Sequence, residues 1–174
     1  NQREDPNIVL TTKDETTGKT KTTSNTVTIT AENKGDTANV TLKDVDIETE
    51  SSWNNSGSAP IEIKGNGNTN LELNGDNTVL VKNDWEEEHA AIEKADKNGH
   101  GTLTIKDDLN DDNSTPKDKD ENGNAAGGDT GKLLAGGYGD GAGIGGGFKD
   151  TTDLSYANTS NITIKGGEIT ARGG

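Results

Sequence analysis

The sequence predicts an all-β fold, a right-handed parallel β-helix: a solenoid with three short strands per coil, built as one domain over residues 1–174. Three observations carry this prediction. Short runs of alternating apolar and polar residues recur, and period-two alternation marks a half-buried strand. The runs come in pairs joined by Gly, Asp or Asn, the residues that turn a chain sharply. The pairs also repeat at a near-constant spacing: Val40 to Leu71 is 31 residues and Leu71 to Leu103 is 32. A period of this length belongs to stacked repeats.

Residues 1–38 read as an opening coil or cap, with NIVLTT and TVTITAE as its weaker strands. Paired strands follow in NVTLKDVDIET (Asn39 to Thr49), NLELNGDNTVLV (Asn70 to Val81), TLTIKDD (Thr102 to Asp108) and NITIKGGEITA (Asn161 to Ala171). The third copy lacks its second strand until GKLLAGG (Gly131 to Gly137) is joined to it. Residues 108–130 are then an acidic insertion at a coil corner. A third strand type appears as APIEIKG (Ala59 to Gly65), AAIEKA (Ala90 to Ala95) and AGIGGG (Ala142 to Gly147).

Alternation assigns the inward side chains. First strands give Val40, Leu42, Leu71, Leu73, Leu103, Ile105, Ile162 and Ile164. Second strands give Ile47, Val79, Val81, Leu133, Ala135, Ile169 and Ala171. Third strands give Ala59, Ile61, Ile63, Ala90, Ile92, Ala142 and Ile144. Each should stack over its counterpart in the next coil, with Leu71 over Leu103. Leu80 and Leu134 point outward and are expected to form a small apolar patch.

Composition narrows the function. The net charge is -14, with 31 acidic and 17 basic residues. That balance argues against nucleic acid, which needs a basic patch, and against an anionic membrane surface. No apolar run approaches the ~20 residues of a membrane span, so no membrane insertion is expected. The chain has no Cys, which excludes disulfides and thiolate metal sites. It starts at Asn1-Gln2-Arg3 without a signal-peptide pattern, as a processed or trimmed chain would.

Fragments of the sequence point to calcium. Asp118-Lys119-Asp120-Glu121-Asn122-Gly123 fits D-x-D-x-N-G, and Asp129 falls at position twelve of the same loop. Hard cations take oxygen ligands, here from Asp118, Asp120, Asn122, the carbonyl of Asn124, and Asp129. A solvated acidic loop is the competing reading. Stacking suggests a second place: Glu62 and Glu93 fall in one outward column, where a cation must offset their repulsion or Lys64 and Lys94 must do so.

A glycan reading rests on two further groups. Lys43, Asn74, Lys106 and Lys165 are expected to form an outward ladder beside Thr41, Glu72, Thr104 and Thr163. Lysines so placed would meet the carboxylates of an acidic sugar chain. They serve equally well as a soluble sheet face. Trp53, Trp85, Tyr138 and Tyr156 lie in loops, where aromatic faces stack on sugar rings, and Phe148 reads as a packing anchor. Gly143 and Gly145 leave a strip without side chains, open to a ligand or a loop. No catalytic residue is assigned. The one constellation with lyase character is Lys106 beside Asp107 and Asp108, and strand arginine is confined to Arg172.

NITIKGGEITARGG and GAGIGGG resemble repeats of Gram-positive bacterial surface proteins, and the layout from Asn39 onward looks like the bacterial β-helix family described as carbohydrate-binding-domain-containing. That family is similar in fold to calcium-dependent polysaccharide lyases. The resemblance implies an extracellular setting at the bacterial cell surface, bound calcium, and a polysaccharide or cell-surface glycan as partner. These expectations make a non-catalytic, calcium-stabilised polysaccharide-binding or adhesion module. The alternative is a structural stalk or filament subunit that self-associates end to end; a calcium-dependent polysaccharide lyase stands third.

Overall fold

Successive coils contribute one strand each to three parallel sheets, and together they make a β-solenoid of about four turns. The computed structural model describes residues 8–50, 57–83, 88–110, 116–119, 125–126, 128–147 and 157–174. The first sheet stacks β1 (Ile8–Leu10), β3 (Thr37–Lys43), β6 (Asn68–Asn74), β9 (Thr102–Lys106) and β14 (Ile162–Ile164). The second stacks β4 (Asp46–Glu50), β7 (Asp76–Asn83), β12 (Lys132–Gly136) and β15 (Glu168–Arg172). The third stacks β2 (Val27–Thr30), β5 (Ile61–Lys64), β8 (Ile92–Glu93) and β13 (Ile144–Gly145). A separate antiparallel pair, β10 (Asp118–Lys119) with β11 (Ala125–Ala126), lies within the insertion. Among the described residues the only helical element is the short 3₁₀ turn Asp96–Asn98.

The core is a set of columns. Ile8, Val40, Leu71 and Ile105 follow one another through the first sheet. Ile61, Ile92 and Ile144 do so through the third, with Val27 before them. Ile47, Val79, Ala135 and Ala171 form a column of the second sheet. Apart from Ala171, which is exposed on the last coil, these side chains meet inside the coil, and Leu42, Leu71, Leu73, Ile92, Leu103 and Ile105 are fully buried. Burial of apolar area at about 25 cal/mol per Å2 drives this stacking.

The register differs from the sequence expectation at one corner. Leu71 pairs with Ile105, and Leu103 pairs with Thr69. The slip is two residues, which keeps every side chain on its own face because the strand period is two. Its cause is corner length. The second coil turns from β5 to β6 through Gly65–Gly67 alone, whereas the third passes from β8 to β9 through the 3₁₀ turn. Gly65 has φ +93, and a Cβ there would lie 1.9 Å from the Ala31 carbonyl oxygen. Only glycine permits that tight bend. Leu80 and Leu134 are displaced in the same way: Leu80 stands opposite Gly136 and Leu134 opposite Thr78. Leu80 and Leu134 thus stand diagonally on one face of neighbouring strands rather than directly opposite.

A polar residue occupies one inner column. Asn77 lies between Val45 and Leu133 and is 2% exposed. Its Oδ1 accepts the Val45 N–H at 3.0 Å, and its Nδ2 donates to the Asn74 and Lys132 carbonyls at 3.1 and 3.0 Å. One amide thus ties three coils at the corner where the backbone ladder breaks. Buried backbone groups need such partners. Asn77→Ala is expected to cost about 2–3 kcal/mol in urea unfolding, because it strands buried groups rather than merely removing a bond. A loss below about 0.5 kcal/mol would show that water replaces the amide freely.

Candidate functional site

The corner between the first and second sheets opens into a polar groove of about 520 Å3. Asp44 stands just before β4, Asp76 opens β7, Lys132 opens β12 and Glu168 opens β15; Asp76, Lys132 and Glu168 are in register. Asp129 and Thr130 reach the same groove from the end of the insertion. Asp44 has φ 51, a left-handed conformation that aspartate tolerates. Its carboxylate is 2.8 Å from Lys13 Nζ, and Lys132 Nζ is 3.6 Å from Asp76. Carboxylates and one ammonium, spaced by the coil repeat, can accept and donate hydrogen bonds to a polyhydroxylated chain lying along the solenoid axis.

The insertion is fastened to the coil at both of its ends. Lys117 returns from it and buries its ammonium 2.6 Å from Asp107 Oδ1 and 2.8 Å from the Asp129 carbonyl. Asp107 Oδ2 also accepts the Gly131 N–H at 3.3 Å. Gly131 packs on the first sheet, where a Cβ would come within 2.4 Å of the Leu73 carbonyl oxygen. The pair therefore closes the neck and sets Asp129 at the groove.

On the outer face of the first sheet, Lys106 lies opposite Glu72. Lys106 Nζ is 2.6 Å from Asp108 and 3.4 Å from Glu72. Burial works against its charge, but the Asp108 hydrogen bond and the charges of Asp108 and Glu72 outweigh it, so the amine sits above its ordinary value. A lysine held protonated is a poor general base. Asp107 points elsewhere, into its pair with Lys117. The lyase-like trio is thus divided between two ion pairs.

The expected ladder of Lys43, Asn74, Lys106 and Lys165 does not form. Lys43 stands beside Asn74, while Lys106 belongs to the column of Thr41 and Glu72. Lys165 follows β14 and donates its N–H to Ile105, next to Lys106. The two-residue slip described above separates Lys43 from the other two. Thr104 pairs with Asn70 and Thr163 rather than with Glu72.

Glu62 and Glu93 do lie side by side, as neighbours in the third sheet. Each has its own partners. Glu62 bonds Lys64 Nζ at 2.9 Å and Asn98 Nδ2 at 3.0 Å. Glu93, 1% exposed, lies 2.7 Å from His89 Nδ1. Lys94 does not meet Glu93. It is 1% exposed and alternates to the core side, where burial lowers its amine below the ordinary value although Asp96 acts the other way. Among the described residues its Nζ has no hydrogen-bond partner.

Of the expected calcium ligands, Asp118 is exposed in β10 and paired with Ala126, and Asp129 faces the groove. Asp120, Asn122 and Asn124 lie outside the described residues, as do Trp53, Trp85, Phe148 and Tyr156. Among the described residues, no group of three or more His, Asp or Glu side chains is placed to hold a metal. Tyr138 is 41% exposed in the turn after β12. A Cβ on Gly143 would fall 2.6 Å from both the Ala135 carbonyl and the Arg172 N–H, so that glycine serves the chain's own packing. Gly145 needs no neighbour to explain it, because its φ of +144 requires glycine.

Asn77, Lys117 and Asp107 were not singled out as structural anchors by the alternation. A signal did exist for Asp107: it and Gly131 bracket the insertion, so a closing contact had to fall there. Comparison with family models, curated proteins and solved structures finds no match for this chain.

Removing one member of the neck pair should be costly. Asp107→Ala strands a buried ammonium and is expected to destabilise by about 3–5 kcal/mol in urea unfolding. Asp107→Leu combined with Lys117→Met should recover most of that loss. A single-substitution cost under about 1 kcal/mol would mean that the pair is hydrated and does not hold the neck.

Proposed function

We propose that the chain is a non-catalytic module of a bacterial surface that binds an extracellular polysaccharide along the outside of its solenoid. The observation that carries this reading is the groove of Asp44, Asp76, Asp129, Thr130, Lys132 and Glu168. Asp76, Lys132 and Glu168 of its lining follow one another at the coil spacing, so each successive sugar unit would meet a charged hydrogen-bonding group. The excess of carboxylates favours a neutral or amino-bearing glycan over the uronate expected from a lysine ladder, because like charges in one groove repel. Exposed Tyr138 adds a ring face of the kind sugars stack on. Calcium joins the reading through the Asp118-to-Asp129 spacing, with Asp129 common to that loop and the groove.

A second reading, end-to-end stacking into a stalk or filament, is favoured by one observation at each end of the described coils. Ile164 on β14 is 54% exposed. At the opposite end an apolar mouth of about 240 Å3 is lined by Ile8, Leu10, Val27, Ile29, Ala38 and Val40. A head-to-tail contact between such ends would extend without closing.

A glycan array with and without calcium tests the first reading. Binding of a neutral or amino sugar polymer is expected, with a loss of about tenfold in Asp76→Ala combined with Glu168→Ala, the size set by losing two hydrogen-bonding groups. No binding, or binding untouched by the double substitution, contradicts it. Light scattering against concentration on the same samples reads the stacking alternative. Calcium should raise the melting temperature, and Asp118→Ala with Asp120→Ala should abolish that response. An unchanged melting temperature removes calcium from the account.

A further inference from the structure

The outer face of β6 carries a carboxyl group in an unusual position. Glu72 is buried between Thr41 of β3 and Lys106 of β9. Its Oε1 accepts two backbone N–H groups, from Asp108 at 2.9 Å and Leu109 at 2.7 Å. Those are the first residues of the insertion. Its Oε2 faces Lys106, which is also bonded to the Asp108 carboxylate. Two carboxyl groups therefore converge on one ammonium at the point where the insertion leaves the coil.

We propose that Glu72 and Asp108 form a proton-sharing carboxyl pair that latches the start of the 108–130 insertion to the first sheet, closed when Glu72 is protonated and loosened when it is ionised. The charge count is the reason. With both groups ionised, one ammonium and two N–H dipoles face two carboxylates in a partly desolvated place, and the pair repels itself. With one proton, Glu72 donates its hydroxyl to Asp108 while its carbonyl oxygen keeps both N–H bonds. The groups that act on the pair are Lys106 from β9, Asp108 from the insertion, and Lys119, which acts on Asp108; β3 presents the uncharged Thr41.

The two acidities divide accordingly. Burial pushes Glu72 up to about 7; Asp108 adds to this, while the Leu109 N–H and Lys106 oppose it. Burial also acts on Asp108, but its hydrogen bonds to Lys106 and Glu72 and the charge of Lys106 bring it below the usual value. Glu72 therefore holds the shared proton. Its folded-state value lies above the ordinary 4.5, so the unfolded chain binds fewer protons across that interval. The latch contributes fully below pH 4.5 and weakens as the pH rises to about 7. The other fastening, Asp107 with Lys117, is independent of this proton, so the insertion stays tethered when the latch loosens.

Amide exchange reads the latch directly, because the Asp108 and Leu109 protons are the ones it holds. Protection factors, corrected for intrinsic rates, would be measured by NMR from pH 5 to 8.5. Those two amides are expected to lose about tenfold in protection as pH rises, while Leu71 and Leu73 in the same sheet stay constant. The midpoint should fall near 7. Glu72→Gln copies the protonated side chain and should hold protection constant over the range. Asp108→Asn removes the repelling partner and should shift the midpoint toward the ordinary carboxylate range. A flat wild-type profile overturns the latch, as does a transition that survives in Glu72→Gln. Should that variant fail to fold, Asp108→Asn decides alone: a lowered midpoint supports the pair, and an unmoved one overturns it.

Discussion

No coil of this chain can bury its apolar side chains by itself; each depends on the coil above and the coil below. The parallel backbone ladders set that dependence, because they place equivalent residues about 4.8 Å apart along one axis. With only 25% of the sequence hydrophobic, a shared globular core would be poorly filled. A thin column of Val, Leu, Ile and Ala needs far fewer residues per turn. Asn77 shows the same logic in polar form. Where a corner interrupts the ladder, one side-chain amide satisfies backbone groups of the coil above and the coil below.

The acidic insertion is an addition to this plan rather than a part of it. It leaves the coil after Asp107 and rejoins at Gly131, and two contacts of different chemistry fasten it, one joining the exit to the return and the other holding the exit alone. In the first, a lysine is drawn in from the insertion and buried against Asp107 at the exit and the Asp129 carbonyl at the return. In the second, the buried carboxyl of Glu72 collects the amide protons of Asp108 and Leu109 at the exit. Buried ionic groups rarely add much stability relative to apolar packing, yet they fix geometry, because moving one partner leaves the other unpaired. Here they fix where Asp129 stands relative to the corner groove. The groove therefore draws its carboxylates from the solenoid repeat and from the one segment that departs from it.

Much of the fold was legible because its rule is simple. Alternation marked the strands, and Gly or Asp marked the corners. The insertion was visible as a gap between TLTIKD and GKLLAGG, and the Glu62–Glu93 neighbourship followed from stacking alone. What alternation could not supply was register. A slip of two residues leaves every apolar side chain on the same face of its strand, so Leu71 over Leu103 and Leu71 over Ile105 look alike in sequence. Corner length decides between them, and the 3₁₀ turn at Asp96–Asn98 has no hydrophobic signature. The lysine ladder failed for that reason. Lys94 was expected to offset the charges of Glu62 and Glu93; it lies instead on the buried face with Ile92, against the usual preference of lysine for the surface.

The account stands on the ladder that joins β6 to β9, and the absence of native cysteine makes it open to direct test. Asn70 and Thr104 are paired in this ladder, and Glu72 is displaced from Thr104 by two positions. Paired Cα atoms at about 4.8 Å fall within disulfide reach, whereas a two-residue offset puts them roughly 8 Å apart. Oxidation of a chain carrying Asn70→Cys and Thr104→Cys should yield a rapid intramolecular bridge, and Glu72→Cys with Thr104→Cys should yield little. Preferential bridging of the second pair would contradict the register, and failure of both would contradict the stacked coils themselves.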